Sequence, residues 1–279
     1  MIPSISIFFM GVSALISIGL PVALFIIWRR KYNMYLLPLF IGFAAFILFK
    51  YILESNLHSL VLRPGEDGSF AMLARNPRLF VLYAVLATGF FEETARLVSF
   101  ILLKKKYSGV GTGLSYGIGH VGIESTLVVG VALVASISIS LAINGGDMSV
   151  VGDDPATLAH INSIANENPA IFLIPGLERL FSLAVSISLS VVVWCAVTVK
   201  GKLWLYPAAI GAHALSNLPL VLHRAGIIDS IWLAQPLVII PTALIAWGAY
   251  YVCKMLPEEE PPVIAEKKTD INEPQGPTL

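Results

Sequence analysis

LFVLYAVLATGFFEETARLVSFILL, residues 79–103, decides how this chain is read. The run is apolar almost throughout. It is long enough to cross a hydrocarbon core of about 30 Å as a helix, which takes about 20 residues. Yet its middle carries Glu92, Glu93 and Arg96. A charge at the bilayer centre costs at least about 2.5–3.5 kcal/mol on insertion scales. A helix satisfies both facts when its charged stripe faces other helices, so this segment predicts a polar site inside a helical membrane bundle.

Working outward, the rest of the chain agrees. It is 56% hydrophobic and 13% charged, with a mean hydropathy of +0.79. A soluble domain carries about 25% charged residues. That composition, with a net charge of zero, excludes a soluble enzyme, a disordered chain and a nucleic-acid binder. Seven apolar segments follow one another, at approximately 4–28, 35–54, 79–103, 109–143, 170–199, 203–222 and 231–254. The first lacks a basic leader region, so it reads as a retained span. The expected class is all-α: a polytopic membrane protein of about seven transmembrane helices. Cys195 and Cys253 lie in apolar runs, which predicts neither a disulfide framework nor a cysteine zinc site.

Basic residues orient the chain. Arg29, Arg30, Lys31, Lys104, Lys105, Lys106, Lys200, Lys202 and Lys254 fall on one side if the spans alternate, against Arg63, Arg75, Arg78 and Arg224 on the other. By the positive-inside rule the N-terminus is expected outside and the C-terminus in the cytoplasm. Residues 1–256 read as one membrane domain with a catalytic core at 79–222, and 257–279 as a disordered cytoplasmic tail. The stretch 144–168, rich in Gly and Asp, reads as an external loop. No internal repeat supports an inverted-repeat transporter. The expected surroundings are membrane lipid in a bacterial or archaeal cell membrane, with no nucleic-acid partner.

Further polar residues lie where lipid-facing helices do not carry them. Arg96 can reach Glu92, four residues back, or Glu93, three back. His120 and Glu124 share a helix face, with Tyr116 one turn before, amid a run of glycines that permits close helix approach. His213 and Asn217 share another face, and Glu178 adjoins Arg179 beyond Pro175 and Gly176. At 1.5 Å per residue, His120 lies roughly 12 Å in from residue 112, His213 roughly 13 Å from Trp204, and Glu92 and Glu93 roughly 17 Å from Lys104. All three distances run from the lysine-rich side. Two histidines and a glutamate pair at similar depth on three helices make one site, nearer the cytoplasmic side. Glu178 counts out toward the external half.

Two imidazoles with carboxylates are a zinc ligand set with an open position: His120 and His213 together with Glu92, Glu93 or Glu124. One of Glu92 and Glu93 can serve as general base and Asn217 can donate to an oxyanion. A metal-free site, in which a glutamate activates water and a histidine stabilises the intermediate, fits the same residues, so zinc and no cofactor both stand. No HExxH is present.

Glu92-Glu93-x-x-Arg96, Tyr116-x-x-x-His120 and His213-x-x-x-Asn217, in that order, resemble the motifs of the type II CAAX prenyl endopeptidase and bacteriocin-processing superfamily of intramembrane proteases. Within it the chain looks most like the YhfC-type membrane peptidases, and it is similar to the PrsW proteases and the Aph scaffold of gamma-secretase. Tyr116 stands where the superfamily has Phe, and Arg96 comes one residue early. The resemblance implies an intramembrane endopeptidase acting on a membrane-embedded or lipidated peptide. Glu92, Glu93, His120, His213 and Asn217 would be catalytic, with Arg96, Tyr116, Glu124 and Glu178 in support. A non-catalytic scaffold or ligand-binding protein of the same fold is the alternative.

Overall fold

The computed structural model describes residues 1–65, 69–152 and 155–256. Among them the chain is all-α, a multi-pass integral membrane protein. Six helices are long and apolar enough to cross a bilayer: α1 (Ser4–Lys31), α2 (Leu36–Leu62), α5 (Val110–Asn144), α7 (Pro169–Thr198), α8 (Leu205–Arg224) and α9 (Ile231–Cys253). Two short helices are α3 (Ala71–Arg75) and α6 (Pro155–Asn166). The remaining one, α4 (Pro77–Leu103), is as long as the spans but more polar, because it carries Glu92, Glu93 and Arg96.

Local chemistry sets several boundaries. Asn76 accepts a hydrogen bond from the Leu79 amide at 3.1 Å, and Pro77 fills the first helical position, so α4 starts there. Asn168 and Pro169 repeat the device at the start of α7. Helix α2 runs eight residues past its expected end at 54, because Leu57, Leu60, Val61 and Leu62 continue the apolar content; it stops at Arg63, whose φ is +49°. The expected loop at 144–168 holds α6, whose buried Ile164 packs beside Ile2 and Met10. Turn residues on either side had masked its apolar positions. The tail at 257–279 lies outside the described residues.

Consecutive long helices alternate in direction. Lys104 Nζ donates to the Val197 carbonyl at 3.3 Å and Tyr35 N to Ser115 Oγ at 3.0 Å, which gathers one end of the bundle. That end carries Arg29–Lys31, Lys104–Lys106, Lys200, Lys202 and Lys254, and is called the basic end below. At the far end, Asn144 pairs with the Ile2 backbone at 2.8 and 2.9 Å, and Leu62 packs with Phe80. Two glycines bring α2 against α5: a Cβ at Gly42 would meet the Tyr116 carbonyl, and one at Gly119 the Leu39 carbonyl. This approach seats His120 at 0% exposure.

Candidate active site

Helix α4 supplies the centre. Its residues 92, 93 and 96 fall on the inner face, and all three side chains are buried. Arg96 chooses between the two acids. Its Nη1 lies 2.7 Å from Glu93 Oε1, and its Nη2 lies 3.7 Å from Glu92 Oε2. The guanidinium also donates to Ser190 Oγ at 3.1 Å and Ser186 Oγ at 2.7 Å, both from α7. Such a fork fixes the guanidinium plane, and through it Glu93.

Glu93 in turn holds His213. Its Oε1 lies 2.7 Å from His213 Nδ1, so the imidazole presents Nε2 in the other direction. That nitrogen lies 3.8 Å from Glu92 Oε2. From α5, His120 Nε2 approaches the same oxygen at 3.3 Å. His120 is wedged between the Tyr116 ring, near parallel at 5.8 Å, and the edge-on Phe46 ring at 5.6 Å. Neither of its nitrogens has a hydrogen-bond partner, although both are buried. Buried polar nitrogens are normally satisfied, so an unsatisfied imidazole beside a carboxylate calls for an explanation.

The other oxygen of Glu92 faces a residue that the sequence reading missed. Lys50 Nζ lies 3.5 Å from Glu92 Oε1, and is itself anchored by Glu54 at 2.9 Å and Thr88 at 3.0 Å. Glu54 also accepts from Thr88 at 2.8 Å and meets His58 Nε2 at 3.0 Å; His58 Nδ1 pairs with Tyr83 at 2.9 Å. Lys50 and Glu54 fall in Phe46–Glu54, a stretch of wider π-helical turns inside α2. Such turns recur at functional sites.

A cavity of about 220 Å³ adjoins this cluster. Glu92, His213, Lys50 and Asn217 line it, whereas Glu93 and His120 do not. Glu124 and Glu178 line it further out. Glu124 pairs with Arg179 at 3.0 Å, and Glu178 accepts from Gln235 at 2.7 Å. Glu92, Glu93, Arg96, His120 and His213 thus meet in one place, with Tyr116 against His120. Glu124 and Glu178 belong to the cavity wall.

Among the described residues, no group of three or more His, Cys, Asp or Glu side chains is arranged to hold a metal ion. The chemistry of the donors is nonetheless that of a divalent-cation site. Two imidazole Nε2 atoms and one carboxylate oxygen converge, and the second nitrogen of His213 is held by a carboxylate, as metal-binding histidines commonly are.

Residues 13–238 match the family described as YhfC intramembrane metalloprotease. The chain is 32% identical over 258 residues to the "Uncharacterized membrane protein YhfC" of Bacillus subtilis (strain 168), covering 91% of this chain and 98% of that protein. No solved structure matches.

Proposed function

The chain belongs to the YhfC intramembrane metalloprotease family, and from that premise we propose that it is an intramembrane endopeptidase that hydrolyses a membrane-embedded or lipidated peptide at Glu92. One observation carries the reading: Glu92 Oε2 is shared by His120 Nε2 and His213 Nε2 at the inner end of a polar cavity. Seven spans follow if α4 is counted with the six apolar helices, its charges turned inward.

His120 and His213 would hold the metal, with Glu92 beside them as the base. When bound, a divalent cation supplies Lewis-acid polarisation and a water acidic enough to act near neutral pH. The other groups divide the labour by position. Glu92 faces the cavity and is the acid positioned to take a proton from attacking water. Glu93 has no access to the cavity; it orients His213 and neutralises Arg96. Asn217 lies one turn beyond His213 on the cavity wall, where its amide can donate to the developing oxyanion. Lys50 draws on Glu92 Oε1, which leaves Oε2 for the imidazoles.

The test is a panel of fluorogenic transmembrane peptides in proteoliposomes, compared between the native chain and Glu92→Gln. Cleavage by the native chain that falls about 10²–10⁴-fold in the variant supports the proposal. Cleavage that persists undiminished in Glu92→Gln removes it. Native protein that cleaves nothing across the panel favours the scaffold.

A further inference from the structure

The two ends of the bundle are not equivalent as seen from Glu92. Toward the basic end the site is sealed. Arg96, Phe100, Tyr116 and Trp194 are all at 0% exposure. The Phe100 ring lies 4.7 Å from Tyr116 and 5.3 Å from Trp194, and Thr94 bonds Tyr206 at 2.8 Å below them. Toward the far end the cavity takes over. It follows the last half of α8, from His213 through Leu220 to Arg224, and the first half of α7, from Glu178 to Ser186. Arg224, at the far end of α8, is exposed. The cavity leads away from the lysine-rich side.

Nine Lys and Arg residues at the basic end against four at the far end put the basic end in the cytoplasm by the positive-inside rule. We propose that peptides reach Glu92 from the extracytoplasmic side. The substrate class is then the outward-facing juxtamembrane segment of a membrane-anchored protein, not a cytoplasmic tail. The cavity wall is consistent with that class. Ser182, Asn217, Arg179 and Arg224 offer donors to a hydrated backbone, while Phe181, Val185, Leu220, Val221 and Val238 offer apolar wall to its side chains. The inference rests on the protease reading for the word substrate; the direction of access stands on the cavity and the seal.

Cysteine accessibility tests it without turnover. Leu220→Cys and Ser182→Cys report from the cavity, and Lys105→Cys from the basic end, each in a Cys253→Ser background; buried Cys195 is left in place. A membrane-impermeant maleimide is applied to right-side-out and inside-out vesicles. Both cavity reporters should react in right-side-out vesicles, and Lys105→Cys in inside-out vesicles alone. Two reporters guard against a variant that misfolds. Cavity reporters that react only together with Lys105→Cys, or from neither side, overturn the proposal, as does Lys105→Cys reacting from outside. If the protease reading fails instead, the labelling pattern survives while no Glu92-dependent cleavage is found.

Discussion

Toward the basic end of the bundle, Phe100, Tyr116 and Trp194 pack ring against ring around a guanidinium whose donors meet Glu93, Ser186 and Ser190. Toward the far end, Ser182, Asn217 and Arg224 stand around open space, and the ion pair there, Arg179 with Glu124, is partly exposed. The two halves use similar residue types for different ends. A buried Arg–Glu pair that loses one partner strands a charge in a low-dielectric interior. A partly wet pair that loses both partners strands nothing. On the proposed reading, the closed half carries stability and holds Glu93 and His213 still, and the open half carries access and chemistry.

That division can be broken by substitution, and the largest expected effect lies in the closed half. Arg96→Met leaves Glu93 buried without its cation and should lower unfolding free energy by about 3–5 kcal/mol. Denaturation in mixed micelles measures it, and an unmoved midpoint would show that the seal does not depend on the guanidinium. Lys50→Met probes the open half. Glu54 keeps His58 as a partner, so folding should survive while peptide cleavage drops about 10–100-fold, the usual cost of losing a group that orients a residue of a metal site. A stability loss with unchanged turnover of the folded fraction would make Lys50 a structural residue.

Gly119→Ala returns to the closed half. Its Cβ meets the Leu39 carbonyl, and overpacking of this kind costs about 1–3 kcal/mol. The same denaturation series reads it, with Gly211→Ala, which meets open space, as the neutral control. The smallest effect belongs to the rim. Removing both charges with Glu124→Gln and Arg179→Gln should change stability by about 1 kcal/mol or less. A large loss there would erase the distinction between the halves.

Much of this was legible in the sequence. The apolar runs located the long helices within a few residues, the far end of α2 excepted, because lipid punishes charge and the chain obeys. The convergence of Glu92, Glu93, His120 and His213 followed from helical rise alone. Lys50, Glu54 and His58 escaped, although their four-residue spacing inside FILFKYILESNLH was readable as one polar helix face. Ser186 and Ser190 gave no signal, since serine is common in membrane helices and its role here comes from where Arg96 points. The separate duties of Glu92 and Glu93 were not readable either. Adjacent residues on a helix diverge by about 100°, and only packing decides which of them meets the cavity. The direction of the cavity likewise depends on where the aromatic rings fall between helices.

The measurement that bears most directly on the site is the metal content of the detergent-purified protein beside a His120→Ala/His213→Ala variant. The shared position of Glu92 between two imidazoles predicts about one bound divalent ion per chain, zinc foremost, lost from the variant while both proteins remain folded. Folded native protein that takes up no metal, or a variant that keeps it, would contradict the assignment of His120 and His213 as metal ligands beside Glu92.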